Sequence, residues 1–269
     1  MSMTIVRFCC NLSISMKAHK IIFYNQKGGV GKTTTAVNLG SSLSALGKKV
    51  LLIDFDAQCN LSNAVSGNIK KANIYQVVSG TVPARSAVQA TIFSNLYLIP
   101  GSIDVAGLAL ELVNENNMEF FLKTALEPLD EDFDFILLDC PPSLGLETMN
   151  ALAWANYIII PLQCEYLAME GLNLLMRTLA SVRRDINPEL SVLGILFTMY
   201  QKKMLLNQQV VEDITQFFGD SVFKTIIPRS VRLAEAPSHG MPINYYDKSN
   251  RGSKAYAELA KEVLSRVGE

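Results

Sequence analysis

A glycine-rich turn between an apolar run and a helical pattern is the feature that most constrains the fold. Residues 20–24 (K-I-I-F-Y) have strand character, and K-G-G-V-G-K-T-T follows at residues 27–34. Glycine at positions 28, 29 and 31 lets the backbone curl with its N–H groups turned inward, which forms a nest for phosphate oxygens. The helix that opens at Thr33 adds unpaired N–H groups and the positive end of its dipole. The segment therefore predicts a phosphate-binding loop, with a flexible Gly/Lys turn as the plainer alternative.

The side chains of this loop have separate expected tasks. Lys32 would reach the β- and γ-phosphates of a nucleotide, and the Thr33 hydroxyl would bind Mg²⁺. The general phosphate-loop motif has glycine at position 26, whereas this chain has Gln26 and a second lysine, Lys27. The expected nucleotide-binding residues of the loop are Lys27, Gly28, Gly29, Val30, Gly31, Lys32, Thr33 and Thr34.

Strand and helix patterns alternate along the rest of the chain. Apolar runs predict strands at residues 20–24, 49–54, 95–100, 133–139, 157–162, 191–199 and 222–227. Helical spacing of apolar residues predicts helices at residues 33–46, 105–126, 144–155, 169–186, 207–218 and 253–267. This alternation predicts an α/β fold with a doubly wound, mostly parallel sheet, helices on both faces and right-handed crossovers. A ligand then binds at the carboxyl ends of the strands.

Composition narrows the class of protein further. The 269 residues are 49% hydrophobic and 18% charged, which is enough apolar content for a large core. The net charge of −1 argues against a protein wrapped in nucleic acid but allows a local basic patch. No Pro-, Gly- or Ser-rich linker interrupts the chain, so residues 18–269 are expected to form a single domain. Residues 1–17 are expected to be a disordered or spurious extension, and translation starting at Met16 is an alternative.

The cysteines and histidines predict no metal site of their own. The five cysteines are scattered and contain no C-x-x-C pair, which is typical of reduced thiols in a cytosolic protein. The two histidines lie far apart in the sequence and have no metal-ligand spacing. The expected metal is the Mg²⁺ that accompanies a nucleotide.

Three aspartates end two of the predicted strands. Asp54 and Asp56 lie at the end of the 49–54 strand, and residues two apart on an extended segment face the same side. Asp139 ends the strand 133–139, where an aspartate typically holds Mg²⁺ through water. The alternative for the first pair is two solvated loop acids.

The loop and three later segments resemble one family. K-G-G-V-G-K-T-T resembles the deviant Walker A motif of the ParA/MinD ATPases. The segments P-S-L-G-L-E-T-M-N-A-L (142–152), P-L-Q-C-E-Y-L-A-M-E-G-L (161–172) and I-P-R-S-V-R-L-A-E-A-P-S-H-G-M-P-I (227–243) resemble its ParA/Soj branch, and the resemblance extends from residue 20 to about residue 267. It implies a P-loop ATPase that uses ATP and Mg²⁺ and forms a homodimer on ATP binding.

The resemblance also implies roles for individual residues. Lys27 would reach the nucleotide of the other subunit, and Asp56 would position the attacking water. The family has D-x-D-P-Q at this strand, and Ala57 replaces its proline. Asp54 would lie beside Lys32 and the waters of the Mg²⁺, which gives an expected metal set of Thr33, Asp54 and Asp139. Met199 and Pro228 would lie against the adenine, although packing without a ligand role is the alternative for both.

The ParA/Soj branch implies partners as well. Arg232 matches a position that contacts DNA in this branch, and Lys203 stands where an arginine is common, with Lys202 beside it. Between residues 201 and 254 eight basic residues face five acidic ones, a surplus of +3, although ordinary surface charges are the alternative. The implied protein binds double-stranded DNA without sequence preference and is cytoplasmic and nucleoid-associated. A ParB-type centromere-binding partner would stimulate its slow hydrolysis of ATP in chromosome or plasmid segregation.

Two rival readings share the deviant loop. A MinD-like membrane ATPase would need a C-terminal amphipathic helix with a basic polar face. Helix 253–267 mixes acids with bases, so its apolar stripe is expected to pack on the sheet and membrane binding is not expected. A nitrogenase-iron-protein-like reductase would need two cysteines from each subunit, for which Cys140 and Cys164 are the available pair.

Overall fold

A computed structural model describes residues 17–65, 72–112 and 115–269. The extension was predicted for residues 1–17, of which residues 1–16 lie outside the described ranges.

The strands that the structure describes form one sheet of seven. Their bounds are β1 (His19–Phe23), β2 (Val50–Asp54), β3 (Gln89–Ala90), β4 (Leu96–Ile99), β5 (Phe135–Asp139), β6 (Tyr157–Gln163) and β7 (Ser191–Thr198). The order across the sheet is β3-β4-β2-β5-β1-β6-β7, and only the short edge strand β3 is antiparallel to its neighbour. The predicted doubly wound, mostly parallel sheet is confirmed.

The register of the central strands places the site. Phe23 at the end of β1 lies opposite Asp139 of β5, and Asp54 at the end of β2 also lies opposite Asp139. All residues of β2 and β5 are buried, because helices cover both faces of the sheet. The ends of β1, β2 and β5 therefore meet at one edge of the sheet, where the phosphate loop begins.

The helices form two layers. Their bounds are α1 (Lys32–Ala45), α2 (Asn60–Val65), α3 (Ile74–Val78), α4 (Ala84–Ala87), α5 (Leu108–Glu111), α6 (Phe121–Leu126), α7 (Leu146–Trp154), α8 (Ala168–Asp185), α9 (Leu205–Phe218), α10 (Val231–Glu235), α11 (Ile243–Tyr246) and α12 (Arg251–Val267). Helices α1, α2 and α10 to α12 contribute to the core on one face of the sheet, and α3 to α9 contribute to the core on the other.

Two predicted elements are wrong. The helix expected at 105–126 is broken into a 3₁₀ turn (Ile103–Gly107), α5, a second 3₁₀ turn (Met118–Phe120) and α6. Asn117 there has a left-handed φ of 59°, which an α-helix does not allow. The strand expected at 222–227 makes only isolated bridges, from Val222 to Ile195 and from Pro228 to Tyr200.

A side chain explains the missing strand. The backbone N–H groups of Lys224 and Thr225 donate to the Glu262 carboxylate at 2.8 and 3.0 Å instead of to a strand. A carboxylate on α12 therefore interrupts the expected ladder, which keeps two backbone hydrogen bonds to β7, from the Phe223 N–H to Ile195 and from the Ile227 N–H to Phe197, both at 2.9 Å.

Candidate nucleotide-binding site

The phosphate loop joins the end of β1 to the start of α1. Gly29 and Gly31 have φ values of 74° and 92°, in the left-handed region where a side chain is strained. Gly31 caps α1, so the unpaired N–H groups of the first helical turn open into the loop. Asn25 fastens the preceding segment, since its Nδ2 donates to the Pro161 carbonyl at 2.9 Å and its Oδ1 accepts from the Lys27 N–H at 3.0 Å. The loop has the glycine-dependent curvature that an anion nest requires.

Lys32 lies inside the loop. Its side chain is buried, and its Nζ donates to the carbonyl oxygens of Asn25 at 3.1 Å and Lys27 at 3.2 Å. Burial lowers the pKa of Lys32, and the charge of Asp139 is the largest effect that opposes this. The ammonium group is therefore held where a bound phosphate would meet it.

Thr33 and Asp139 form the hydroxyl–carboxylate pair that the sequence predicts for a metal. The Thr33 Oγ1 donates to Asp139 Oδ2 at 2.6 Å. Asp139 is buried, and its Oδ1 has no hydrogen-bond partner among the residues that the structure describes. Burial, and then the charge of Asp54, raise the pKa of Asp139 to about 8. A hydroxyl beside a carboxylate with one unsatisfied oxygen fits Mg²⁺, which prefers oxygen ligands.

Asp54 lies opposite Asp139 at the strand ends and is held by its own hydrogen bonds. It is fully buried, and its Oδ2 accepts hydrogen bonds from the Ser62 N–H at 2.8 Å and from the Ser62 hydroxyl at 2.6 Å. The same hydroxyl accepts from the Gly101 N–H at 2.8 Å. The carboxylate therefore ties β2 to α2 and to the segment after β4. Ser62 therefore occupies Oδ2, while Oδ1 accepts a long hydrogen bond from the Asp56 N–H at 3.4 Å, and the place of Asp54 beside Lys32 and the Mg²⁺ waters stays a prediction.

Asp56 is the more accessible of the two acids. It is half-buried, and its Oδ1 accepts from the Gln58 N–H at 3.0 Å. Its charge is among those that raise the pKa of Lys32 against the effect of burial, which places it within electrostatic reach of the loop. Its predicted task of positioning water stays a prediction.

Lys27 lies apart from Lys32 although both belong to one motif. Its side chain is 54% exposed and pairs with Glu165, which follows β6. The structure therefore holds one lysine of the motif inside its own loop and leaves the other at the surface.

A cavity of about 180 Å³ adjoins the loop. Met199 and Pro228 both line it, and the bridge between Tyr200 and Pro228 fixes their segments side by side. Thr198 joins the cavity to the phosphate loop, because its Oγ1 donates to the Val30 carbonyl at 2.8 Å. The two expected base contacts thus lie together beside the phosphate site, and adenine binding there stays a prediction.

The residues expected to contact DNA differ in their surroundings. Lys202 and Lys203 are exposed in the turn after β7. Arg232 is exposed but occupied, since it donates to Glu235 at 3.0 Å and to the Tyr246 hydroxyl at 3.4 Å. Asp247 lies 4.0 Å from its Nε.

The structure also bears on the two alternatives, the MinD-like membrane ATPase and the iron–sulfur reductase. On α12, Tyr256, Leu259 and Val263 are at most 1% exposed, which confirms that the apolar stripe packs in the core. Among the described residues, none of the helices is both long enough and apolar enough to cross a bilayer. Cys140 and Cys164 are both buried, so neither presents a thiol to a cluster shared between subunits.

A parallel sheet with a glycine-rich loop, a buried loop lysine and a Thr–Asp pair at the strand ends defines a P-loop nucleotide-binding ATPase. A family model described as an AAA domain matches residues 18–192. The chain is 49% identical to the chromosome-partitioning ATPase Soj of Treponema pallidum over 93% of this chain and 98% of that protein. It is 47% identical to the sporulation initiation inhibitor protein Soj of Bacillus subtilis over 91% of this chain and 98% of that protein. The chain belongs to the ParA/Soj family of partitioning ATPases.

Solved structures agree with this fold. The chain aligns with cobyrinic acid a,c-diamide synthase from Mycobacterium smegmatis, solved with a bound ATP analogue and magnesium, with a TM-score of 0.83 and 34% identity. The alignment covers 94% of this chain and 96% of that one.

Sequence reasoning missed several residues that shape the site. Ser62, Asn25 and Thr198 act through hydrogen bonds to Asp54, Pro161 and Val30, none of which a motif reveals. Glu165 lies within the segment 161–172, but the sequence contains no sign that it pairs with a residue 138 positions earlier.

Proposed function

We propose that this chain is a partitioning ATPase that dimerises on ATP, binds DNA as the dimer and is reset by hydrolysis. The observation that carries the proposal is the separation of the two motif lysines. Lys32 is 7% exposed and bonded to its own loop, whereas the Lys27 side chain is 54% exposed and pairs with the surface carboxylate of Glu165. An exposed ion pair contributes about 0–1 kcal/mol, so Lys27 can leave Glu165 for a phosphate of a second subunit at little cost.

The residues of one subunit would divide the chemistry as follows. Mg²⁺, held by Thr33 and Asp139, would supply charge neutralisation for the β- and γ-phosphates. Lys32 would bind the same oxygens from inside the loop, and Asp56 would accept a hydrogen bond from the attacking water and orient it in line. Lys27 of the partner would add the second positive charge as negative charge develops. A monomer has no partner lysine at its nucleotide and would therefore hydrolyse ATP slowly.

DNA and a ParB-type protein are the proposed partners. The curated relatives named above support a role in partitioning, and their identity of 47–49% exceeds the 34% identity to the cobyrinic acid enzyme. Lys202, Lys203 and Arg232 would contact DNA phosphates without reading bases. The ParB-type partner would speed hydrolysis and release the dimer from DNA at the nucleoid.

The lysine in trans is tested with two variants. Lys27→Ala should still bind ATP but should stay monomeric in size-exclusion chromatography with ATP and Mg²⁺, and its turnover should fall to the monomer's rate. Lys32→Ala should lose ATP binding itself. Lys123→Ala, which removes an exposed lysine from α6 on the opposite face of the sheet, is the matched control and should behave as the unmodified protein. ATP-dependent dimers of Lys27→Ala with normal turnover would refute the proposal.

The DNA step is tested with one duplex of arbitrary sequence. Binding is measured at low and high salt with ATP, with ADP and without nucleotide. The proposal expects binding with ATP only, and a steep loss of affinity with salt. DNA binding that is equal in all three nucleotide states, or absent from all of them, would contradict the partitioning role and leave only the ATPase activity. Sedimentation with vesicles tests the MinD-like alternative, which the buried apolar stripe of α12 disfavours.

A further inference from the structure

A cavity of about 440 Å³ lies at the edge of the sheet opposite the phosphate loop. It is bordered by residues at or just before the amino ends of β1, β5, β6 and β7. Strand β1 has five residues, so about 16 Å of extended chain separates the cavity from the phosphate loop at its other end. The volume lies in the range of small-molecule sites, about 300–1,000 Å³. The nucleotide pocket therefore does not account for this cavity.

Two buried polar atoms in the cavity lining have no partner. Asp130 and Trp154 both line the cavity and are 6% and 2% exposed. Within the part of the chain that the structure describes, Asp130 Oδ1 accepts no hydrogen bond and Trp154 Nε1 donates none. Buried polar groups are normally hydrogen-bonded, and an unpaired one destabilises the fold. The cavity therefore lacks a donor for Asp130 and an acceptor for Trp154.

Lys20 lies beside both of these residues. Its Nζ donates to Asp130 Oδ2 at 3.0 Å and lies 5.9 Å from the centre of the Trp154 ring. The side chains of Lys20 and Asp130 are only 13% and 8% exposed, so water screens this ion pair little. A buried ion pair is stabilising only when further hydrogen bonds satisfy its remaining lone pairs. The free oxygen of Asp130 is the atom that a donor group of a ligand would satisfy.

Hydrogen bonds hold the walls of the cavity in place. The Lys20 N–H donates to Asn156 Oδ1 at 3.1 Å, which joins the start of β1 to the segment before β6. Asn187 Nδ2 donates to the Ala155 carbonyl at 2.8 Å, which joins the segment before β7 to the same wall. The cavity is therefore formed without a ligand, as small-molecule sites usually are.

The charges around the cavity balance. Three lysines and three acids line it, namely Lys17, Lys20, Lys123, Glu127, Asp130 and Glu189. A simple anion or cation would meet charges of its own sign here, whereas a molecule with an ammonium and a carboxylate group can pair with both kinds. An ammonium group supplies the donor that Asp130 lacks. A carboxylate supplies the acceptor for Trp154, whose Nε1–H can only donate.

We propose that this cavity binds a small zwitterion with the ammonium and carboxylate groups of a free α-amino acid. The ammonium donates to Asp130 Oδ1, and the carboxylate accepts from Trp154 Nε1. The site is separate from the nucleotide pocket and does not depend on the partitioning function proposed above. Water bound to the two atoms is the alternative, and the experiment distinguishes it from the zwitterion.

The first test uses tryptophan fluorescence, because Trp154 is the only tryptophan of the chain. L-Alanine, L-leucine and L-glutamine are titrated in turn to millimolar concentration, without nucleotide or DNA. At least one should cause a saturable change in fluorescence and bind once per chain in calorimetry. Its N-acetyl derivative lacks the ammonium group and its amide derivative lacks the carboxylate. Each derivative should bind at least about tenfold more weakly, because one charged hydrogen bond is lost.

The second test uses variants of the two residues, with binding measured by calorimetry. Asp130→Asn removes the charge and Trp154→Phe removes the N–H while keeping an aromatic ring, so each should weaken binding about tenfold or more. Asp132→Asn is the matched control: it removes the same charge from a surface carboxylate that pairs with Arg85 and is not among the described lining residues, and it should keep the affinity. Circular dichroism and thermal unfolding establish that each variant is folded. Trp154→Phe leaves the ion pair of Asp130 intact and provides the test if Asp130→Asn does not fold.

Three results would overturn the proposal. No saturable response to any of the three amino acids would leave water as the occupant. Equal binding of the acetylated or amidated derivative would show that the site does not recognise both charges. Unchanged affinity in folded Trp154→Phe would place the binding elsewhere. None of these measurements involves ATP or DNA, so their failure would leave the proposed partitioning function untouched.

Discussion

Replacing Asp139 by asparagine should stabilise the nucleotide-free protein while abolishing its response to Mg²⁺ nucleotide. The carboxyl group is buried, has one unpartnered oxygen, and has a pKa raised from 3.8 to about 8. Between pH 3.8 and about pH 8 the Asp139 carboxyl group is protonated in the folded state and ionised in the unfolded chain. The resulting loss of folding free energy is therefore absent below pH 3.8 and grows until about pH 8. At pH 7 the difference of 3.2 pH units multiplied by 1.36 kcal/mol gives a penalty of about 4 kcal/mol.

Asparagine carries no such penalty. Its carbonyl can still accept from Thr33, but its buried amide N–H groups would lack acceptors at a cost of about 1–3 kcal/mol. The expected net gain at pH 7 is therefore about 1–3 kcal/mol, which raises the Tm by several degrees in a chain of this size. The gain should shrink by about 3 kcal/mol between pH 7 and pH 5, because the penalty in the unmodified protein falls over that range.

The assay is thermal and urea unfolding at pH 5, 7 and 8.5 in chelated buffer, then with ADP and Mg²⁺. The unmodified protein should gain about 2.7 kcal/mol at a ligand concentration of 100 times Kd, and Asp139→Asn should gain none. Asp185→Asn, at an exposed position, is the control and should show no gain that rises with pH. An Asp139→Asn variant that is less stable at every pH, by a constant amount, would refute the reasoning that burial raises the pKa of this carboxyl group.

Three further changes test parts of the fold that support the site. Gly194→Ala would place a methyl group 2.5 and 2.6 Å from two ring carbons of the buried Phe223, so it should destabilise by about 1–3 kcal/mol in urea unfolding, and an unchanged midpoint would contradict this packing. Thr198→Val removes the hydrogen bond to the Val30 carbonyl, so it should cost about 0.5–1.5 kcal/mol and weaken ADP binding in calorimetry; equal affinity would show that the tie does not shape the loop. Glu262→Gln tests pH dependence. Burial raises the pKa of Glu262, but hydrogen bonds from the N–H groups of Lys224 and Thr225 outweigh this effect, so the net pKa is lowered. The carboxylate therefore stabilises the fold above pH 4.5, and this contribution is lost as the pH falls through the lowered pKa. The glutamine variant should lose about 1 kcal/mol at neutral pH and show a flatter stability curve in acid, and identical acid profiles would contradict the assignment.

The sequence predicted the sheet where burial on both faces decides the pattern. The runs at β2 and β5 are apolar up to their final aspartates because helices cover both faces of the sheet, and this pattern is typical of a buried parallel strand. The run at 222–227 is also mostly apolar, but it is held to β7 by isolated backbone hydrogen bonds from Phe223 and Ile227 and forms no continuous strand. Between them the N–H groups of Lys224 and Thr225 donate to the Glu262 carboxylate, 38 and 37 residues away, a contact that a local sequence pattern cannot reveal.

In the candidate site, too, the sequence predicted the features that belong to a motif and missed those that depend on distant contacts. The curvature at Gly29 and Gly31 and the pair of Thr33 with Asp139 follow from a motif, since the loop chemistry needs those residue types at that spacing. The position of Asp54 and Asp56 at the end of one strand did not distinguish them, and only the family resemblance assigned them different roles. Their difference comes from Ser62, which turns one carboxylate into a structural tie and leaves the other at the surface of the site.

The distribution of charged side chains shows why the net charge of the chain says little about its binding partners. A chain of net charge −1 contains a groove beside α12 that is lined by Lys248, Lys254 and Lys261 and by no acid among the described residues, whereas the arginine expected to bind DNA is partly neutralised by its own neighbours. The net charge of the 269-residue chain reveals neither arrangement. Phosphate contacts depend on how close the cationic side chains lie to one another and on whether carboxylates already pair with them. The same distinction separates Lys27 from Lys32. One is exposed and weakly paired and can be offered to a second subunit, while the other is buried in its own loop, so two lysines five residues apart are suited to opposite sides of one nucleotide.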